Sequence, residues 1–201
     1  VTETLHGVTV TDPYRYLENG DDPDTRAFFD AQAKRGRGYL DRLPQRDRLL
    51  HRLHELYGRV PSMKAPARAG GVDVFLRRTG GDEVARLFVR PQKGGATRLL
   101  LDPAQLRDGK HHATILDFAL APDGRHAVVG IARDGDEYGE LRFVEVATGK
   151  LLPDVVRGCF PESADWLDAR RVEYLGYSEA AFASPNGNRF QHPRARAHVL
   201  G

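Results

Sequence analysis

The 201-residue sequence predicts a mainly β chain that opens with a helical hairpin, and three observations predict it. Between Asp22 and Gly58 the apolar residues recur at the three- and four-residue steps of a helix face, whereas from Val72 onward they alternate with a period of two. Glycine-rich turns, among them Gly80-Gly81, Gly94-Gly95 and Pro122-Asp123-Gly124, separate short runs rich in β-branched and aromatic residues. The groups of runs return at an interval of about forty to fifty residues, the spacing of four-stranded units in a β-propeller.

Each element has a local reason. In His6-Gly7-Val8-Thr9-Val10-Thr11-Asp12-Pro13-Tyr14-Arg15-Tyr16-Leu17-Glu18, Gly7 permits a bend and Val8 and Val10 alternate as in a short strand; Pro13 then fixes the chain after an aspartate able to bond the backbone beyond it. Asp22-Pro23 starts the first helix, since the aspartate accepts from orphan amides and proline suits the first helical position. Ala27, Phe28, Ala31 and Gln32 share a face with Leu40 and Leu43 further on, so the aromatic side is expected to pack inward, and Gly36 and Gly38 weaken the helix end. Pro44 opens a second helix through Leu49, Leu50, Leu53, Leu56 and Tyr57, and Gly58 stops it before Pro61.

Strands are expected at 72–77, 86–89, 97–101, 114–120, 126–131, 141–146, 151–152, 171–175 and 196–200, with Trp166 at the start of a third group. The stretch Phe118-Ala119-Leu120-Ala121-Pro122-Asp123-Gly124-Arg125-His126-Ala127-Val128 reads as a blade signature in which an Asp-Gly turn joins two inner strands. Two blades are complete and a third is nearly finished at Gly201 in this reading, with a β-sandwich built from the same strands as the alternative.

Composition narrows the function classes. Hydrophobics at 40% and charges at 29% describe a globular protein, and no apolar run approaches the roughly 20 residues of a membrane span. Residues Val1–His6 carry neither a charged nor an apolar leader segment, so no signal peptide is visible. The formal net charge is +2, but acids and bases interleave, as in Asp24, Arg26, Asp30 and Lys34, which argues against a nucleic-acid stripe. Arg189, Arg194 and Arg196 around His192 read as a solvated loop. One cysteine, Cys159, excludes an internal disulfide and allows a reducing compartment, and a cytoplasmic location is expected.

The opening string, H-G-x-x-V-x-D-P-Y-R-Y-L-E from His6 to Glu18, resembles the H-G-x-x-V-x-D-P-Y-R-W-L-E opening of the prolyl oligopeptidase family of serine peptidases, with Tyr16 where most members carry tryptophan. The resemblance continues in family order through the acidic Glu18–Asp24, Ala31-Gln32, Leu99-Leu100-Leu101-Asp102-Pro103, Leu152-Pro153-Asp154-Val155 and the closing His198–Gly201, and so covers nearly the whole chain. It implies the first two to three blades of a seven-bladed propeller that the family closes before an α/β-hydrolase domain. The start at Val1, with no initiating methionine, fits the reading of an N-terminal portion. The basic-residue-cleaving oligopeptidases are a near branch that the opening string does not separate.

Serine peptidase chemistry needs a serine relayed to a histidine held by a carboxylate, with amides facing the oxyanion. The one near match is Gly176-Tyr177-Ser178-Glu179-Ala180, and Ser184-Pro185-Asn186-Gly187 follows too soon for the helix that supports a nucleophile elbow. After Ser178 the only acid is the adjacent Glu179, which cannot orient His192 or His198 in the usual way. No catalytic residue is therefore assigned. His51 and His54 with Glu55 lack the H-E-x-x-H spacing, and the consecutive His111-His112 tend to point apart, so no metal site is assigned. The paired glycines precede no helix, which leaves phosphate cradling unsupported. One substrate contact is implied by the resemblance: a phenylalanine ahead of the third-blade tryptophan lines the family's pocket. Phe160, in Cys159-Phe160-Pro161 before Trp166, stands about one residue out of step with it. The competing reading of Phe160 is a hydrophobic plug between blades.

Residues 1–68 are thus expected to form an N-terminal strand and helical arm that packs on an α/β-hydrolase domain absent from this chain, and residues 69–201 a partial propeller. The resemblance implies that the whole enzyme cleaves short peptides, typically after proline, without a cofactor, and that this chain alone is inactive. The expected partners are short peptide substrates and the hydrolase domain, with no nucleic acid and no membrane. The rival reading is a free-standing β-rich module that binds a protein partner across its open strand edges.

Overall fold

The computed structural model describes residues 1–58, 60–64, 66–109, 111–177 and 193–201. Strands β1 (Thr2–Leu5) and β2 (Val8–Thr11) form an antiparallel hairpin around the left-handed His6 and Gly7. The helices α1 (Pro23–Leu40) and α2 (Arg46–Tyr57) follow. Asp22 caps α1 as the sequence implies, its carboxylate accepting from the amides of Asp24 and Thr25 at 2.9 and 3.2 Å.

The strands then fall into three groups made from consecutive chain. The first sheet holds β3 (Ser62–Met63), β4 (Ala67–Ala69), β5 (Val72–Arg78), β6 (Arg86–Pro91) and β7 (Arg98–Leu101), with β3 and β4 pairing to successive parts of β5. The second runs in order through β8 (Ala113–Leu120), β9 (His126–Arg133), β10 (Gly139–Glu145) and β11 (Leu151–Cys159), all antiparallel. In the third, β12 (Asp165–Trp166) and β14 (Arg194–Val199) flank β13 (Arg171–Gly176), which meets β11 at the single pair Cys159↔Gly176. Apart from the single β11–β13 pair, each unit is built from strands consecutive in the chain, the topology of propeller blades; this decides against the sandwich.

The sheets stack face to face. Val74, Leu76, Leu87, Val89 and Leu101 of the first blade pack on Ile115, Val129, Ile131 and Val144 of the second. The other face of the second blade presents Val128, Leu141 and Phe143 to Val172 and Leu200 of the third. Blade 2 is therefore covered on both sides, which is why β9 reads Ala-Val-Val-Gly-Ile-Ala without polar alternation and is buried throughout that run. Polar staples cross both seams. Arg98 donates to the carbonyls of Val146 and Ala147 at 2.5 and 3.0 Å, Lys64 pairs with Asp117 at 2.8 Å, and the Trp166 indole donates to the Ala119 carbonyl at 3.0 Å.

Backbone approaches where a side chain has no room are reserved for glycine. Gly70 (φ +55°) and Gly124 (φ +72°), in the first hairpin turns of blades 1 and 2, meet each other: a Cβ on Gly124 would lie 2.7 Å from the Ala69 carbonyl oxygen and from the Gly70 Cα. Gly130 faces the third-blade loop, where a Cβ would lie 1.9 Å from the Pro161 carbonyl oxygen.

One expectation fails. The aromatic face of α1 does not pack inward: only Thr25 of this helix is buried, Phe28 is half-buried, and Phe29, Tyr39 and Leu40 are exposed. The stripe Leu49, Leu50, Leu53, Leu56 and Tyr57 on α2 is exposed as well. Periodicity identifies an apolar face and not what covers it. Smaller corrections follow. Gln45 and not Pro44 flanks α2, Gly58 ends it in a right-handed conformation, and α1 runs through Gly36 and Gly38 to Leu40. β11 extends seven residues past the expected Leu152.

Replacing Gly130 by alanine sets a methyl group against a backbone carbonyl that no rotamer can move aside. The expected cost is about 3 kcal/mol, read as a lowered urea midpoint with an unchanged slope.

Candidate functional site

The loop from blade 2 to blade 3 gathers the aromatic residues that the meanders leave at one end. Gly158 (φ +71°) lets β11 turn, and the chain then passes through Cys159, Phe160 and Pro161. The Phe160 amide donates to the Leu175 carbonyl at 3.0 Å. Its own carbonyl accepts from the Ser163 hydroxyl at 2.7 Å, and that hydroxyl accepts from the Leu175 amide at 2.9 Å. Pro161 is buried over Gly130 and Gly139. The loop is thereby pinned to blade 3 on one side and blade 2 on the other.

Phe160 itself is half-buried, with its ring centroid 4.6 Å from that of Tyr177, which lies 5.0 Å edge-on from Tyr138. The three rings form a continuous row. Burial, reinforced by Tyr138 and Glu137, pushes the Tyr177 phenol above its ordinary pKa, so it stays neutral. Beyond Tyr177 opens a cavity of about 520 Å³ lined also by Tyr138, Gly139, Glu140, Arg133, Arg157 and Arg196. Glu140 is 6% exposed and receives Arg133 and Arg142 at 3.0 and 2.8 Å, with Arg157 further off at 3.7 Å. A buried carboxylate needs such partners, and two close guanidinium groups supply them. Sequence reasoning named Phe160 but missed Tyr138, Glu140 and Arg157. Tyr177 entered the sequence reading only as part of a failed elbow motif, and Arg196 only as part of a solvated loop, whereas it lies on β14 (Arg194–Val199). Cys159, next to Phe160, is fully buried with its thiol pushed up to about 12, chiefly by burial, which makes it unreactive.

The model of the family described as "Prolyl oligopeptidase, N-terminal beta-propeller domain" matches residues 1–201. The chain belongs to this family. It is 24% identical over 200 residues to the prolyl endopeptidase of Elizabethkingia meningoseptica, covering 100% of this chain and 28% of that one. A prolyl endopeptidase solved in a study of inter-domain dynamics in catalysis and specificity is 28% identical, with a TM-score of 0.81 over 100% of this chain and 30% of its own. Oligopeptidase B from Leishmania major, at 16% identity, shares the fold with a TM-score of 0.75, covering 96% of this chain and 27% of its own. The chain therefore spans less than a third of the length of the relatives it matches.

Several other titratable groups of this prolyl oligopeptidase family chain form local pairs. His51 pairs with Glu55 one helical turn on, at 3.2 Å on the surface. His111 and the His112 amide both bond Asp134, and Asp134 with Asp108 raises the pKa of the His111 imidazole. No group of three or more metal-ligating side chains occurs among the described residues. Nor, among them, is a serine or cysteine hydrogen-bonded to a histidine. Ser178, Glu179, Arg189 and His192 lie outside the described residues; Arg194 and Arg196 belong to β14.

His198 and Asp154 clasp blade 3 to blade 2: His198 Nε2 lies 2.8 Å from Asp154 Oδ1, with the imidazole stacked 5.3 Å from the fully buried Phe143. The hydrogen bond with His198 holds the Asp154 carboxyl below its ordinary value, against the opposing effect of burial. A carboxyl depressed in the folded state stabilises it above the unfolded carboxyl value near pH 4 and loses that contribution as pH falls further. Asp154→Asn is therefore expected to cost about 1.5 kcal/mol at pH 7. Its deficit relative to the parent chain shrinks when urea midpoints are compared at successively lower pH below about 4.

Proposed function

We propose that this chain is the arm and entry blades of a serine-type peptidase that hydrolyses short peptides, typically after proline. The chemistry resides in an α/β-hydrolase domain of the same polypeptide, and no cofactor takes part. The observation that carries this reading is the family match over all 201 residues, set beside prolyl endopeptidases more than three times as long. The absence of a serine–histidine pair among the described residues supports placing the nucleophile elsewhere.

In this reading residues 1–68 form the arm, whose last strands already pair with the first sheet, and residues 69–201 the blades. The exposed stripe Leu49, Leu50, Leu53, Leu56 and Tyr57 docks on the hydrolase domain. An apolar stripe of this width is favourable only when covered. Phe160, on the loop that ends blade 2, contributes an apolar wall to the peptide-binding space between propeller and hydrolase. The protein acts on peptides and not on nucleic acid, because arginines such as Arg15, Arg86 and Arg133 are held by carboxylates rather than gathered into a stripe. A cytoplasmic location belongs to the same proposal, and no helix among the described residues is long and apolar enough to cross a membrane.

The chain alone is expected to leave a proline-linked chromogenic peptide intact, whereas a polypeptide continuing into the downstream coding sequence cleaves it. Hydrolysis by the 201-residue chain that Ser178→Ala abolishes refutes the proposal. Docking of the arm is tested separately: Leu53→Gln changes the unfolding free energy of the chain by less than about 0.5 kcal/mol, but lowers that of the extended polypeptide by about 2 kcal/mol.

A further inference from the structure

We infer that the cavity beside Tyr177 is a subsite for a carboxylate carried by the bound peptide, an inference that rests on the reading of Phe160 as a wall of the peptide space. Three features of the cavity point there. The aromatic row Phe160, Tyr177, Tyr138 runs without a break from the proposed peptide wall to the cavity, at centroid distances of 4.6 and 5.0 Å, and its two buried tyrosines give the cavity an apolar floor. The cavity, at about 520 Å³, falls within the size range of ligand-binding clefts. Its charge is unevenly matched.

Arg133, Arg157 and Arg196 line it against the two acids Glu140 and Asp136. Glu140 is already engaged at 3.0 Å by Arg133 and at 2.8 Å by Arg142, which lies just outside, while Asp136 accepts the Tyr138 amide at 3.0 Å. Arg133 also turns towards the Leu106 carbonyl at 2.7 Å and Asp108 at 3.4 Å, and is thereby saturated. That leaves Arg157, whose nearest carboxylate is the shared Glu140 at 3.7 Å, and Arg196, which has no ion pair among the described residues. Both are solvent-accessible and both line the cavity. A planar carboxylate entering beside Tyr177 would receive two fork-shaped donors, the geometry that guanidinium groups match best.

The carboxylate has two sources in a peptide, the C-terminus and an Asp or Glu side chain, and the experiment separates them. Binding to the chain is measured by fluorescence anisotropy for four labelled pentapeptides of one proline-containing sequence, with a Glu or a Gln side chain and with a free or an amidated C-terminus. Peptides carrying a carboxylate are expected to bind at least tenfold more tightly than the Gln, amidated peptide, with the stronger of the Glu, amidated and Gln, free forms naming the source. The preference weakens as salt rises. Arg157→Gln and Arg196→Gln each reduce the preference several-fold with unchanged circular dichroism, and Arg125→Gln, on a turn remote from the cavity, does not. Equal binding of the four peptides, absence of binding at millimolar peptide, or a preference that survives the double variant overturns the inference. Hydrolysis by the extended polypeptide without carboxylate preference rejects the subsite and leaves the peptidase reading standing. Preference in the chain without hydrolysis by the extended polypeptide does the reverse.

Discussion

Everything in this structure depends on the burial of blade 2 on both faces. A four-stranded meander has two sides, and a single one in water leaves an apolar side exposed. By lying between two neighbours, β9 and β10 bury Val128, Val129, Ile131, Leu141, Phe143 and Val144 completely. At about 25 cal/mol per Å² of apolar surface, the gain comes from contact between consecutive units rather than from within any one of them. The polar staples at Arg98, Lys64 and Trp166 lie along the same two seams and fix how the sheets sit on each other. The two outermost described surfaces show what an uncovered face requires. On blade 1, Phe75 and Phe88 stack on each other and are roofed by Arg90 and Arg77, and the buried Asp73 is held by Arg90 and Arg68.

The loop that bears Phe160 is a product of this stacking. Pro161 can seat against blade 2 only because Gly130 and Gly139 present bare backbone, and that seat draws Cys159 into the core and turns Phe160 towards Tyr177. The site and the seam are built from the same residues, so the aromatic row is as rigid as the core beneath it. This coupling links the fold to the proposed peptide contact without any motion of the blades.

Much of the fold was legible because its signals are local. The period-two runs, the Asp-Gly turn at 123–124 and the Asp22-Pro23 helix start each depend on a few neighbouring residues, and each appears where expected. β3 and β4 were missed because two or three residues carry no periodicity, and β1 because its Thr-Glu-Thr-Leu alternation is nearly all polar. The length of β11 was hidden by Pro153 and Gly158, which read as breakers and are tolerated on a strand bent at both places. The candidate site was less legible. Phe160 came from a resemblance, but Glu140 sits twenty residues away and Tyr177 seventeen, and only the blade packing brings them beside it. The inward packing expected for the aromatic side of α1 failed because an apolar face does not name what covers it.

The contact of Gly70 with Gly124 has a geometric consequence. Where two hairpin turns touch main chain to main chain, the gap between one sheet and the next is at its physical minimum and cannot be narrowed by any choice of side chain. The wedge that each added sheet subtends is then governed by bulk elsewhere along the seam. The number of wedges needed to complete a circle is accordingly written in the sizes of residues such as Leu87, Val129 and Val144 and not in the turns.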